Sequence, residues 1–309
     1  MTKLAYLFPG QGSQAVGMLA DVGDAAADLF GEASMVLGYD LWDLISNGPE
    51  EKLNQTEFTQ PALLTSSIAL YRLAIDHGAP APEVVAGHSL GEYSALVAAG
   101  VLEFADAVSL VQQRGRFMQT AVPIGEGGMA AILGLTDDQV RDACAAAAGN
   151  GVAQAANYNA PGQVVIAGST DAVGRAVDAC KDAGAKRAMP LPVSAPFHSE
   201  LMQPAAEQMA AVLEEVTFSV PSVPVVQNVD AAVHTDPDEI RDNLVAQMCG
   251  AVRWTDTVIR LKDLDVSAAV ECGPGKVLTG LAKRIDKSIS GHNILSLESI
   301  ATVREALAQ

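Results

Sequence analysis

The stretch Glu83–Gly100, EVVAGHSLGEYSALVAAG, decides how this chain is read. A short apolar run, Val84 to Ala86, leads into Gly87-His88-Ser89-Leu90-Gly91, and a helical pattern follows and closes at Gly100. A buried strand, a sharp turn holding Gly-x-Ser-x-Gly, and then a helix are the context of a nucleophile elbow, which lifts a serine oxygen above a sheet. Small flanking residues permit the tight backbone. The N-terminus of the helix aims free N–H groups at the place where an oxyanion would form. A capping serine in a glycine-rich turn fits the same letters, but the strand before it and the helix after it favour the nucleophile.

The alternation extends outward from this stretch. KLAYLF (3–8) reads as a buried strand, residues 26–45 as helices broken near Gly38, and 60–78 as a helix with Pro61 near its start and Gly78 past its end. Strand alternating with helix implies a mostly parallel sheet covered on both faces. Residues 125–195 have another rhythm: strand 128–135, a helix with Thr136 and Gln139 spaced as a capping box, strands 152–159 and 162–169, helix 170–184, strand 185–193. The order βαββαβ predicts a ferredoxin-like unit. The earlier rhythm then resumes, with a helix over 199–216, a strand over 223–229, a helix over 236–248 capped by Asp236, a strand over 267–272 and a helix reached through 273–285. The fold class is α/β: a large domain of residues 1–124 and 196–309, and an inserted small domain of residues 125–195.

Composition narrows the function. The chain has 309 residues, 49% apolar, with 37 acidic against 19 basic side chains and a net charge of −18. That balance opposes binding to nucleic acid or to anionic membranes. No apolar run is long enough to span a bilayer, and LAYLF stops at Pro9-Gly10, too short for a signal peptide, so a cytoplasmic location is expected. Cys144, Cys180, Cys249 and Cys272 are widely spaced, without metal-ligand spacing, and read as inert thiols.

Ser89 needs a base. Of five histidines, His88 points away from its neighbour on an extended strand and suits support of the elbow, His77 sits at a helix end, and His234 and His292 lie in polar turns. His198 lies where the insertion rejoins the large domain, a place where α/β ligand sites gather, and spacing alone gives it a modest preference. Arg114 is placed by geometry. The helix after Ser89 runs about ten residues, roughly 15 Å, away from the elbow; Gly100 permits a turn, and a second amphipathic helix from Phe104 returns the same distance. Arg114 then stands level with Ser89 while Arg116 faces elsewhere, and a guanidinium there suits a substrate carboxylate. The turn Gly10-x-Gly12-x-x-Ala15 fits the letters of a dinucleotide-binding fingerprint, but no acidic residue ends a second strand where a ribose would need it.

Five segments occur in the order seen in malonyl-CoA:acyl-carrier-protein transacylases: Phe8-Pro9-Gly10-Gln11-Gly12-Ser13-Gln14, Gly87 to Glu92, Gln113-Arg114-Gly115, Pro196-Phe197-His198-Ser199 and Gly273-Pro274-Gly275-Lys276. The chain resembles that family nearly end to end. The resemblance implies an α/β-hydrolase-like large domain, Ser89 as nucleophile, His198 as base, and Arg114 on the malonyl carboxylate. It implies an oxyanion hole from the backbone N–H groups of Gln11 and Leu90, and a main-chain carbonyl at Gln247 orienting the histidine in place of an acid. Gln60, Asn157 and Phe197 are implied as pocket residues, the last crowding an α-methyl branch. It further implies ping-pong transfer from malonyl-CoA to an acyl carrier protein for fatty acid biosynthesis, by a monomer, with no cofactor beyond the coenzyme A thioester that is the substrate. Lys186, Arg187, Lys276, Lys283, Arg284 and Lys287 are candidates for a docking patch. The alternative is a serine esterase or thioesterase on the same elbow; a dinucleotide-binding protein using Gly10–Ala15 ranks below it.

Overall fold

The computed structural model describes residues 3–193 and 195–307. It opens on β1 (Lys3–Phe8), buried from Leu4 onward. No helix starts directly after it: a 3₁₀ turn, Asp24–Ala26, precedes α1 (Ala27–Leu37), α2 (Leu41–Asn47), α3 (Glu50–Leu53) and α4 (Thr56–Asp76). The Gly10–Ala15 turn therefore lacks the helix that a dinucleotide pyrophosphate would need. Helix α4 starts before Gln60 and leaves Pro61 in its second turn. The Gln55 carbonyl accepts the Phe58 and Thr59 N–H groups, both at 2.9 Å, and sets the first turn ahead of the proline. Then come β2 (Val84–Gly87), α5 (Leu90–Ala98) and α6 (Phe104–Thr120). The buried stripe of α6 holds Phe104, Val108, Val111, Gly115 and Met118, as the periodicity predicts, and Arg114 with them.

The middle of the chain runs β3 (Gly127–Leu133), α7 (Asp137–Ala148), β4 (Ala153–Ala160), β5 (Gln163–Ser169), α8 (Thr170–Asp182) and β6 (Arg187–Pro190). The predicted capping box on α7 is present. These strands form a separate antiparallel sheet ordered β4-β5-β3-β6. Its apolar face packs against both helices through Val140, Cys144, Ile166 and Val173. β6 ends earlier than the run 185–193 suggests, because Pro190 and Pro192 have no N–H to give a ladder.

A 3₁₀ turn over Glu200–Met202 leads into α9 (Gln203–Glu214), whose first turn tolerates Pro204. The rest is β7 (Val225–Val226), α10 (Pro237–Cys249), α11 (Trp254–Asp263), β8 (Val266–Cys272), α12 (Val277–Ile285), β9 (Ser290–Ile294) and α13 (Leu297–Leu307). The large sheet is ordered β7-β2-β1-β8-β9 with every pairing parallel. The strand expected over 223–229 shrinks to two residues. Pro224 cannot donate, and Gln227 and Asn228 turn aside to bind a buried carboxylate. Adjacent β1 and β2 end side by side, so the Pro9–Gly12 turn and Ser89 share the carboxyl edge of the sheet, where α/β folds build their sites. Among the described residues no helix is long and apolar enough to cross a membrane.

Candidate active site

Ser89 sits on a backbone that only glycine neighbours allow. A Cβ on Gly87 would lie 1.9 Å from the Gly91 carbonyl oxygen, and one on Gly91 would lie 2.0 Å from that of Phe8. Ser89 itself has φ +53°, a conformation costing on the order of 1–3 kcal/mol. The Asn228 amide holds it from both sides: Oδ1 accepts the Ser89 N–H at 2.6 Å, and Nδ2 donates to the Gly87 carbonyl at 2.7 Å. His88 directly follows β2 and is fixed at both its backbone and its ring. Its N–H bonds Phe8 O at 3.0 Å, and its ring Nε2 lies 2.8 Å from Asn159 Oδ1 on β4.

His198 Nε2 lies 2.7 Å from Ser89 Oγ, and Nδ1 lies 2.8 Å from the main-chain carbonyl oxygen of Gln247. A carbonyl can only accept, so Nδ1 carries the proton and Nε2 is left with a lone pair facing the hydroxyl. Burial, with the Arg114 charge adding to it, pushes the His198 pKa down to about 3, so the ring is neutral near pH 7. His198 also has φ +59°. The other histidines lie elsewhere: His77 caps α4, His234 pairs with Asp230 and Glu239, and His292 is on β9.

Arg114 is 1% exposed, with Nη2 3.2 Å from Ser89 Oγ. Nη1 donates to Gln60 Oε1 and Nη2 to Gln247 Oε1, both at 2.8 Å. Its Nε has no partner among the described residues. Arg116 is exposed and pairs with Glu57 at 3.2 Å. The length argument from helix geometry is thus met: two arginines two positions apart face opposite ways.

The remaining candidates surround this trio. Gln11 lies on the turn against the elbow, with Oε1 3.4 Å from Gln60 Nε2. Leu90 opens α5, so its N–H has no intrahelical acceptor. Phe197 is half-buried between the large core and the Met129–Ala156–Ala167 cluster of the small sheet. Asn157 is 7% exposed on β4, without a hydrogen bond to Ser89, His198 or Arg114; its neighbours Ala156 and Tyr158 bond the backbone of Val252. Asn159, Asn228 and Glu92 carry contacts that sequence reasoning did not assign. Glu92 had a visible signal, as the only charged side chain in α5.

Of the basic candidates, Lys186, Arg187 and Arg284 line one groove together with Arg141, Gln163 and two acidic residues, Asp137 and Asp138; its volume is about 990 Å³. Lys276, Lys283 and Lys287 are not part of its lining.

A Ser–His pair on a strand-to-helix elbow, with a buried guanidinium at the hydroxyl, is equipped to take up and pass on an acyl group. In keeping with this, the chain belongs to the acyl transferase domain family, which matches residues 5–304. Among its relatives, the malonyl CoA-acyl carrier protein transacylase of Escherichia coli O157:H7 is 54% identical over 308 residues, 99% of this chain and 100% of that one. The Bacillus subtilis (strain 168) protein of the same name is 45% identical over 313 residues, 100% of this chain and 98% of its own. The solved malonyl CoA-acyl carrier protein transacylase of Coxiella burnetii superposes with a TM-score of 0.98 at 45% identity, covering 100% of this chain and 98% of that one. A malonyl-transacylase solved in complex with its type II PKS acyl-carrier protein gives 0.97 at 50% identity, over 99% of this chain and 100% of that one.

Proposed function

We infer that this chain transfers a malonyl group from malonyl-CoA to the phosphopantetheine thiol of an acyl carrier protein, through an ester on Ser89, in supply of fatty acid synthesis. The observation that carries the reading is the convergence of His198 and Arg114 on one hydroxyl, at 2.7 and 3.2 Å. His198 Nε2 takes the Ser89 proton as the oxygen attacks the thioester carbonyl. The oxyanion is held by the N–H groups of Leu90 and Gln11. Its collapse breaks the C–S bond, and His198 returns the proton to the departing coenzyme A sulfur. The carrier thiol then attacks the ester by the same route, His198 taking its proton and giving it back to Ser89. Arg114 binds the free carboxylate of the malonyl group through its guanidinium. Gln60 holds it from one side, and Phe197 and Asn157 wall the pocket.

The large unit, residues 1–124 and 196–309, is read as α/β-hydrolase-like, supported by a parallel sheet with the elbow at a strand's carboxyl end. Residues 125–195 are read as ferredoxin-like, supported by the βαββαβ order and the sheet order β4-β5-β3-β6. The groove of Lys186, Arg187, Arg284 and Arg141 is a local exception on an acidic chain and suits the phosphates of coenzyme A or an acidic carrier protein.

Intact mass spectrometry after mixing with malonyl-CoA tests the reading. One malonyl adduct is expected on the wild type and none on Ser89→Ala, and holo carrier protein should discharge the adduct onto its own thiol. Release mainly as free malonate with carrier present would make the protein a hydrolase instead.

A further inference from the structure

Among the described residues the mechanism above leaves two buried carboxyl groups unused, Glu271 on β8 and Glu92 beside the elbow. Glu92 lies one turn after Ser89 on α5 and is wholly inaccessible. Burial pushes its pKa up to about 7. A carboxylate survives such burial when its lone pairs are taken up. Here Oε2 accepts the Asn228 N–H at 2.8 Å and Gln247 Nε2 at 3.0 Å, and Oε1 accepts Gln227 Nε2 at 3.1 Å.

The bond to Gln247 has consequences at the site. An amide has a donor end and an acceptor end, and the donor end of Gln247 is fixed on Glu92 and on the Ser89 carbonyl, the latter at 3.2 Å. The acceptor end is thereby turned toward Arg114, whose Nη2 it meets at 2.8 Å. Were the amide reversed, its NH₂ would face a guanidinium, donor against donor. A carboxylate on α5 therefore sets the orientation of an amide on α10, and that amide aims a guanidinium on α6.

We propose that Glu92 is a positioning residue which, by fixing the Gln247 side chain, aims Arg114 at the carboxylate of the incoming acyl group and so sets the preference for malonyl over uncharged acyl groups. It touches no substrate and acts only through Gln247. The proposal rests on the malonyl-transfer reading.

Two variants separate reach from charge. Glu92→Gln keeps the length and one acceptor. That oxygen belongs at the Oε2 position, where two donors converge, so the misfit falls on Gln227, away from Arg114. Glu92→Asp keeps the charge but withdraws the acceptor by a methylene. The readout is the ratio of kcat/KM for Ser89 acylation by malonyl-CoA and by acetyl-CoA, with thermal unfolding run on each variant. Glu92→Gln should hold the ratio within about threefold of wild type, and Glu92→Asp should lower it about tenfold or more, chiefly through KM for malonyl-CoA. A ratio unchanged in Glu92→Asp, even with both rates reduced together, would make Glu92 a brace of the elbow and overturn the proposal. So would a ratio lowered in Glu92→Gln, which decides the matter alone if the shorter variant does not fold. Failure of the wild type to acquire a malonyl ester would refute the transfer reading instead, and is seen before either variant is made.

Discussion

A methyl group placed on Gly91 would lie 2.0 Å from the Phe8 carbonyl oxygen; one placed on Gly174, in α8 of the small unit, would meet nothing within 4 Å. The contrast extends beyond two glycines. Around Ser89 four backbone polar groups of the elbow are held by named partners, Gly87 O and Ser89 N by Asn228, Ser89 O by Gln247, and His88 N by Phe8 O, while the Leu90 N–H is left for an oxyanion. The antiparallel sheet has its own core and meets the site through few contacts, the Asn159–His88 bond and the packing of Pro196 on Gly127 among them. Chemistry that depends on tenths of an ångström is built on the saturated sheet. The inserted unit borders the site at His88, and the segment that returns from it delivers His198.

The contrast can be broken most directly at Gly91→Ala. Overpacking against backbone with no room to yield should cost about 3 kcal/mol, lower the unfolding midpoint by roughly 5–10 °C, and remove malonyl loading. A variant that loads at wild-type rate would show that the elbow yields. Next in size is Arg114→Ala. Loss of a charge-assisted clamp should reduce kcat/KM for malonyl-CoA about 100-fold relative to acetyl-CoA. It should also move the pH profile. The guanidinium is one cause of the low His198 pKa, so its removal raises that pKa, and acetyl loading should fail at a higher pH on acidification than in the wild type. Equal loss on both substrates would remove Arg114 from carboxylate recognition. The smallest effect sharpens the other side of the comparison. Gly174→Ala, in a helix with open space around it, should stabilise the protein by about 0.5–1 kcal/mol in denaturant unfolding and leave loading rates unchanged.

Local features that carry their own geometry were legible in the sequence. Ser89 followed from strand, turn and helix in succession, and Arg114 from the lengths of two helices and the glycine between them. The capping box of α7 and the antiparallel middle unit likewise rest on short-range pattern. Harder to read were residues whose partners come from far along the chain. Glu92 stands out in an uncharged helix, yet its role depends on Gln227, Asn228 and Gln247, brought in by the end of β7 and by α10. Asn159 reaches His88 from a part of β4 where register irregularities break the simple alternation. The strand β9, with exposed and half-buried residues before Ile294, has too weak an apolar signal for an edge position to be read, and α11 and α13 were missed with it.

The partner of His198 Nδ1 is an uncharged carbonyl, and a guanidinium stands nearby. A ring so placed keeps its lone pair free well into the acid range, so loading of Ser89 should survive mild acidification that would silence a histidine held charged by a carboxylate.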